Sequence, residues 1–241
     1  MKGIILAGGT GSRLQPMTLV TNKHLLPVGG CPMIYYSINQ LVEAGIEDIM
    51  IITGTEHMGD MIKLLGSGKN FGCKFTYRVQ DEAGGIAQAL GLAEGFSCGE
   101  SIAVLLGDNI FEDDLSTFIN KYDEKYYGQK CIAGLFLQKV VDPKRFGVAE
   151  IKNGQIISIE EKPQKPKSNL AIAGAYLYGC DVFDVIKSLE PSKRNELEIS
   201  DVNKYYMLSG SIIYFLLHGW WTDAGTLESY KKANQLVWEG K

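Results

Sequence analysis

The chain of 241 residues predicts an α/β protein, a Rossmann-like three-layer sandwich with a mixed, mostly parallel central sheet, on three observations. Apolar runs in the first half alternate with helical patterns, the rhythm of right-handed parallel β–α units. Runs end in glycine turns at Gly8-Gly9-Thr10-Gly11, Gly84-Gly85 and Gly107-Asp108-Asn109, and open parallel sheets bind ligands beyond the carboxyl ends of their strands. The second half changes to short strands in quick succession, with Asn153-Gly154 as a hairpin turn between two of them.

Taken in order, residues 3–7 read as a buried strand that breaks into the first glycine turn instead of continuing to alternate. Residues 32–44 form a helix, with Pro32 near its start and Gly45 past its end. A second buried strand follows over 48–53, then a short helix over 60–65 closed by Gly66. A third strand over 74–79 leads through the second glycine turn into a helix over 86–94, and the fourth strand over 101–106 runs into Asp108. A helix is expected over 115–126. Strands are expected over 132–138, 147–151, 156–161 and 171–178, helices over 182–189 and 198–208, a strand over 211–217, and a last helix ending near Trp238. With no repeat, linker or low-complexity tract, the pattern gives one domain over 1–241 with two functional halves, about 1–130 and 131–241.

Composition bounds the function. With 45% hydrophobic and 22% charged residues the chain can bury a sizeable core without staples. A net charge of -4 argues against broad binding to nucleic acid or an anionic membrane, so any phosphate must be met by a local cluster. The five cysteines, Cys31, Cys73, Cys98, Cys131 and Cys180, show no paired spacing and are expected as free thiols in a reducing compartment. The chain opens directly into a core strand and has no long apolar run, so a cytoplasmic protein is expected, with neither nucleic acid nor membrane as partner.

The chemistry concentrates at the strand ends. Glycines let backbone N–H groups approach an anion that a Cβ would hold away, and Arg13 and Lys23 add full charges, which suits a polyphosphate. A dinucleotide fingerprint fails because its third glycine position is Leu14, and a Walker loop fails because Gly68-Lys69 is followed by Asn70. Asp108 and Asp223 offer two hard carboxylates, the number Mg2+ takes from protein when phosphate and water supply the rest. Either aspartate alone is an ordinary turn residue. Gln80 carries both donor and acceptor and could read a pyrimidine edge, and Glu160-Glu161-Lys162-Pro163 alone is an ordinary strand end. No Ser/His/Asp or Cys/His constellation is present, so covalent catalysis is not expected.

Together, residues 6–14, Asn22-Lys23-His24-Leu25-Leu26-Pro27, Gly107-Asp108-Asn109, Arg145-Phe146-Gly147-Val148, Glu160-Glu161-Lys162-Pro163, residues 196–203 and Trp221-Thr222-Asp223-Ala224-Gly225-Thr226 closely resemble the sugar-1-phosphate nucleotidylyltransferases, over essentially the whole chain. The resemblance implies the nucleotide-diphospho-sugar transferase fold and transfer of a thymidylyl group from dTTP to glucose 1-phosphate, with release of pyrophosphate, for deoxysugar synthesis. It implies that Gly8, Gly9, Gly11, Ser12 and Arg13 cradle the triphosphate and that Gln80 and Gly85 read the thymine. By the same resemblance Lys23 meets the phosphates in transfer, Asp108 and Asp223 hold Mg2+, and Lys162 binds the sugar phosphate. Asn109, Gly147, Glu161 and Ile172 would line the sugar pocket, and a homo-oligomer is expected.

Elementary electrostatics agrees. Two anionic substrates repel, and a unit charge pair about 4 Å apart is worth about 4 kcal/mol at an effective dielectric of about 20, so Arg13, Lys23 and Lys162 each count. A phosphate oxygen already attacks without a protein nucleophile. Members of that family usually carry Gln at the position of His24, so a titratable imidazole beside Lys23 is expected to make phosphate affinity depend on pH. Long members also carry a helical C-terminal extension with a second nucleotide site, so regulation and subunit geometry do not carry over. UTP or CTP in place of dTTP, or a non-catalytic sugar-nucleotide sensor, remain alternatives.

Overall fold

A computed structural model describes residues 1–126 and 132–240; Cys131 lies outside them. The strands are β1 (Lys2–Ala7), β2 (Pro27–Val28), β3 (Cys31–Pro32), β4 (Asp48–Gly54), β5 (Lys74–Gln80), β6 (Ile102–Leu106), β7 (Asn109–Phe111), β8 (Ala133–Lys139), β9 (Gly147–Lys152), β10 (Gln155–Glu161), β11 (Leu170–Tyr178), β12 (Ile212–Leu216) and β13 (Trp221–Asp223). The helices are α1 (Ile34–Glu43), α2 (Met58–Leu65), α3 (Ile86–Gly91), α4 (Glu94–Ser97), α5 (Ser116–Tyr126), α6 (Val182–Lys187), α7 (Ile199–Leu208) and α8 (Leu227–Glu239). The chain divides into two compact units: residues 2–83, 104–117 and 219–241 form one, and residues 1, 84–103 and 118–218 the other.

In the first unit, β1 pairs parallel with β4 and β4 with β5, in registers that set Ala7 opposite Thr53 and Gly54 opposite Gln80. Buried Ile4 and Ile5 of β1, and Ile49, Ile51 and Ile52 of β4, are the continuous apolar runs that a sheet covered on both faces requires. The last residues of β6 bring Gly107 beside β1, where its N–H donates to the Leu6 carbonyl at 2.9 Å. Two short antiparallel ribbons complete the unit, β2 with β3 and β7 with β13. Val28, Met33, Ile110, Ala224, Ala233 and Val237 bury together beneath them, so the ribbons rest on α8. That helix starts cleanly because Thr226 and Ser229 cap one another reciprocally.

In the second unit, β9 pairs antiparallel with β10 and with β11, β11 pairs antiparallel with β8, and β12 adds parallel to β8. The Asn153-Gly154 turn joins β9 to β10 with both residues at positive φ, as its sequence predicts. Phe118, Phe136 and Phe215 interlock in one aromatic group, and Tyr178 stacks between Tyr176 and Tyr206 while its hydroxyl donates to Asn203 at 2.6 Å.

The α/β class and the change from parallel to antiparallel pairing follow the sequence reading. The helix expected over 86–94 is instead two short helices, α3 and α4, interrupted at residues 92–93 after Gly91. The helix expected from Pro32 begins at Ile34, because Cys31–Pro32 is taken by the bridge to Pro27–Val28. The described cysteines Cys31, Cys73, Cys98 and Cys180 are free. Among the described residues no helix is long and apolar enough to cross a membrane.

Candidate active site

The glycine turn after β1 folds back sharply. Gly9 and Gly11 take φ of 92° and 63°, in the left-handed region that L side chains avoid. Gly11 is then sealed by Thr18, whose hydroxyl donates to the Gly11 carbonyl at 2.7 Å, and Leu14 N–H returns to the same carbonyl at 2.8 Å. A β-carbon on Gly11 would lie 3.4 Å from Lys23 Cβ, so the stem of Lys23 packs against the loop. A β-carbon on Gly8 would come within 2.7 Å of Gln80 Oε1, which places the amide at the end of β5 directly over the turn.

The four charged residues singled out in this unit converge. Lys23 Nζ donates to Asp108 Oδ2 at 2.6 Å, both side chains 13% exposed. A β-carbon on Gly225 would stand 3.3 Å from Asp108 Oδ2, 3.4 Å from Arg13 Nη2 and 4.0 Å from Asp223 Oδ2. Gly225 therefore leaves a bare cradle bordered by two carboxylates and a guanidinium. Backbone pairing holds the two aspartates in register: Asp223 sits opposite Asn109 in the β7–β13 ribbon, and Ala224 N–H donates to the Asp108 carbonyl at 2.7 Å. Burial alone would raise the Asp108 carboxyl, but the Lys23 charge and hydrogen bonds from Lys23 and Asn109 outweigh it and hold the group ionised, well below the usual carboxylate range.

Asn109 is buried beside this pair. Its Nδ2 donates to Asp108 Oδ1 at 2.9 Å, while Trp221 Nε1–H donates to its Oδ1 at 2.7 Å. An indole N–H only donates, which fixes which end of the amide faces the carboxylate. The residue expected to line a sugar pocket thus also orients Asp108.

His24 corrects the sequence expectation. It is 1% exposed, and its pKa is pushed down from 6.5 to about 3, first by burial and then by the adjacent Lys23 charge. The imidazole stays neutral across physiological pH. The expected titration of His24 near neutrality is not supported, because burial, which the sequence does not reveal, pushes its pKa down.

A second cluster forms in the other unit. Glu161 accepts from the Ser200 hydroxyl, and its Oε1 lies 3.4 Å from Lys162 Nζ and 3.7 Å from Arg194 Nη2. Arg194 clasps Glu198, with Nη2 2.8 Å from both of its carboxylate oxygens. Lys162 takes φ of 43° and its N–H donates to the Phe146 carbonyl at 3.0 Å, so the chain turns sharply as it leaves β10. A β-carbon on Gly147 would meet Ser200 Oγ at 3.1 Å, Glu161 Oε2 at 3.3 Å and Ile172 Cδ1 at 3.6 Å. Gly147 thus opens a second cradle, bordered by a carboxylate, a hydroxyl and an aliphatic side chain. Gly85, at φ 98°, packs against the Leu197 carbonyl, 2.5 Å from where its β-carbon would be.

Of the residues singled out in the sequence, Arg13, Lys23, Asp108 and Asp223 gather in one unit and Gly147, Glu161, Lys162 and Ile172 in the other, while Asn109, expected with the sugar residues, lies beside Asp108 instead. Sequence reasoning missed Gly225, Ser200 and Trp221, all inside the quoted motifs, and Arg194, which no motif signals.

A nucleotidyl transferase family model matches residues 2–240, and the chain belongs to that family. It is 44% identical over 240 residues to a protein of Neisseria meningitidis named glucose-1-phosphate thymidylyltransferase, across 98% of this chain and 82% of that protein. A solved Bacillus anthracis structure, described as a candidate glucose-1-phosphate thymidylyltransferase in complex with a sucrose, superposes with a TM-score of 0.92 at 59% identity, over 98% of this chain and 95% of that one. A UDP-glucose pyrophosphorylase complexed with UDP-glucose superposes with a TM-score of 0.86 at 26% identity, over 100% and 99% of the two chains. The chain is a nucleotidyltransferase with the Rossmann-like fold of these neighbours.

Proposed function

We propose that this enzyme transfers the thymidylyl group of dTTP to α-D-glucose 1-phosphate, forming dTDP-glucose and pyrophosphate for deoxysugar synthesis. The observation that carries the reading is the Gly225 cradle, where Arg13, Asp108 and Asp223 converge and Lys23 grips Asp108. The names of the relatives supply the choice of base and sugar.

In this reading an oxygen of the sugar phosphate bonds to the α-phosphorus of dTTP while the bond to the bridging oxygen of the β-phosphate breaks, and pyrophosphate departs with that electron pair. The Gly8–Arg13 loop receives the triphosphate oxygens, and Lys23 neutralises charge on the phosphates in transfer. Gln80 and Gly85 read the thymine. Lys162 binds the phosphate of glucose 1-phosphate, and Gly147, Glu161 and Ile172 bound its sugar.

Asp108 and Asp223 fit a divalent ion. Their carboxylates border one empty-sided glycine, and two hard oxygens suit Mg2+, whose other ligands come from phosphate and water. Bound there, Mg2+ would neutralise phosphate charge. A cytoplasmic homo-oligomer completes the proposal, with a mass from light scattering as its check.

A second reading is UTP in place of dTTP, favoured by the likeness to the UDP-glucose pyrophosphorylase. Pyrophosphate release from dTTP, UTP, CTP and ATP, each with glucose 1-phosphate and Mg2+, separates the two. Fastest turnover with dTTP supports the proposal; fastest turnover with another triphosphate overturns it.

A further inference from the structure

We propose that His24 is a positioning residue whose ring, wedged between the Asn22 amide and the backbone of Gly107, sets the spacing of the Lys23 ammonium and the Asp108 carboxylate. The inference deepens the function proposed above and rests on it. Two consecutive side chains, Lys23 and His24, grip two consecutive residues, Asp108 and Gly107. Lys23 Nζ reaches Asp108 Oδ2 at 2.6 Å, and a β-carbon on Gly107 would come within 2.9 Å of His24 Cδ2 and 3.4 Å of His24 Nε2. The ring therefore fills the space beside Gly107 where a side chain would stand, and one peptide unit links it to Lys23 just as one links Gly107 to Asp108.

The ring is itself fixed from the opposite side. Asn22 Oδ1 accepts from the His24 backbone N–H at 2.9 Å and lies 2.7 Å from His24 Nδ1. The backbone N–H identifies that atom as the amide oxygen, which carries no hydrogen and can only accept, so Nδ1 carries the proton and Nε2 does not. Asn22 Nδ2 reaches Thr53 Oγ1 at 3.5 Å at the end of β4, and Gly107 N–H donates to Leu6 at the end of β1. The imidazole is thus a spacer between a turn anchored on β4 and a turn anchored on β1. Burial and the Lys23 charge keep it neutral, so it does not repel the ammonium it helps to place.

A purely space-filling role makes a different forecast from a positioning role. If His24 only fills the core, His24→Ala lowers the unfolding temperature but leaves turnover unchanged well below it. If it positions the pair, His24→Ala lowers kcat about tenfold with a smaller change in KM, and His24→Gln, whose amide can also donate to Asn22, recovers to within about threefold of wild type. Gly107→Ala pushes on the same ring from the other side. It should cost about tenfold in wild type and less than threefold in the His24→Ala background, and two costs that simply multiply would overturn the inference.

One readout is independent of turnover. Acetylation of Lys23 by N-hydroxysuccinimide acetate, followed by peptide mass spectrometry, should be slow in wild type and several-fold faster in His24→Ala. Unchanged labelling overturns the positioning role. A wild-type protein that turns over neither dTTP nor UTP with glucose 1-phosphate overturns the proposed function instead, while the labelling result still stands. Should His24→Ala fail to fold, Gly107→Ala read by the same labelling decides the question.

Discussion

Two glycines, Gly225 and Gly147, each leave a space that a β-carbon would fill, and the two spaces are walled in opposite ways. Around Gly225 stand two carboxylates and a guanidinium, with the Lys23–Asp108 pair largely buried. Around Gly147 stand one carboxylate, one hydroxyl and an isoleucine methyl, while the nearby Lys162 and Arg194 side chains are 48% and 44% exposed. Dense, shielded charge of both signs suits phosphate and a metal ion, whereas mixed donors, acceptors and aliphatic surface suit a sugar. The same local device, a missing side chain, takes its chemistry from the elements that converge on it. In the first unit these are the carboxyl ends of parallel strands, and in the second an antiparallel sheet and the start of α7.

The largest effect should come from the Gly225 side. Asp223→Ala removes a carboxylate from the cradle while Lys23 keeps Asp108. Turnover should fall by about a thousandfold or more, with an unfolding temperature close to wild type. Excess EDTA should do the same, and Mg2+ should restore the wild type but not the variant. Near-normal pyrophosphate release from the purified variant would remove the distinction between the two cradles.

The buried side should also carry the pH dependence of stability. His24 has its folded pKa lowered to about 3 from 6.5, so the unfolded chain binds a proton that the folded chain refuses throughout that interval. The stabilisation from the neutral, buried ring is complete above about 6.5 and is lost as pH falls toward about 3, which at 1.36 kcal/mol per unit amounts to about 5 kcal/mol. Denaturant unfolding between pH 7 and 4 should show that slope in wild type and a much shallower one in His24→Gln. Equal slopes would mean the ring is not shielded as the geometry indicates.

On the exposed side, effects should be smaller and sensitive to salt. Lys162→Ala should raise KM for glucose 1-phosphate and lower kcat/KM by about a hundredfold, without loss of stability, because the ammonium is half in water. Arg194→Ala should cost about tenfold, since Glu161 keeps its Ser200 donor and Lys162 when the guanidinium is removed. Raising ionic strength should weaken wild type toward the variants here and leave the Asp223 result unchanged.

The sequence carried most of the scaffold and only part of these sites. The long buried runs of β1 and β4, and the glycine turns at their ends, announce a parallel sheet and a phosphate loop on simple steric grounds. The ribbon of β7 and β13 was invisible as strands, because three residues hold too little periodicity, yet it aligns Asp108 with Asp223. That these aspartates share a site was legible only through the resemblance, since nothing in a separation of more than a hundred residues implies contact. Arg194 sits in no motif and reaches Glu161 through the fold around Asn195, which takes φ of 59°. His24 was misread because the shift in its pKa comes from burial, a property of the folded surroundings and not of its neighbours in sequence.

The smallest expected effect tests how firmly the charged cradle is built. Trp221→Phe keeps the ring packing but removes the N–H that holds Asn109 Oδ1. If that bond alone oriented the amide, its loss would let Asn109 turn over and Asp108 would lose a donor. Turning over, however, would bring the amide oxygen against the Asp108 carboxylate, a repulsion that holds the amide in place without the indole. The buried oxygen still loses a donor, at a cost of about 1–3 kcal/mol, or a few degrees of unfolding temperature in a chain of this size. Turnover should fall less than tenfold while stability falls measurably. A loss of turnover as large as that of Asp223→Ala would instead mean that the aspartate's orientation hangs on this one indole, and that the buried cradle is less redundantly held than the exposed cluster around Glu161.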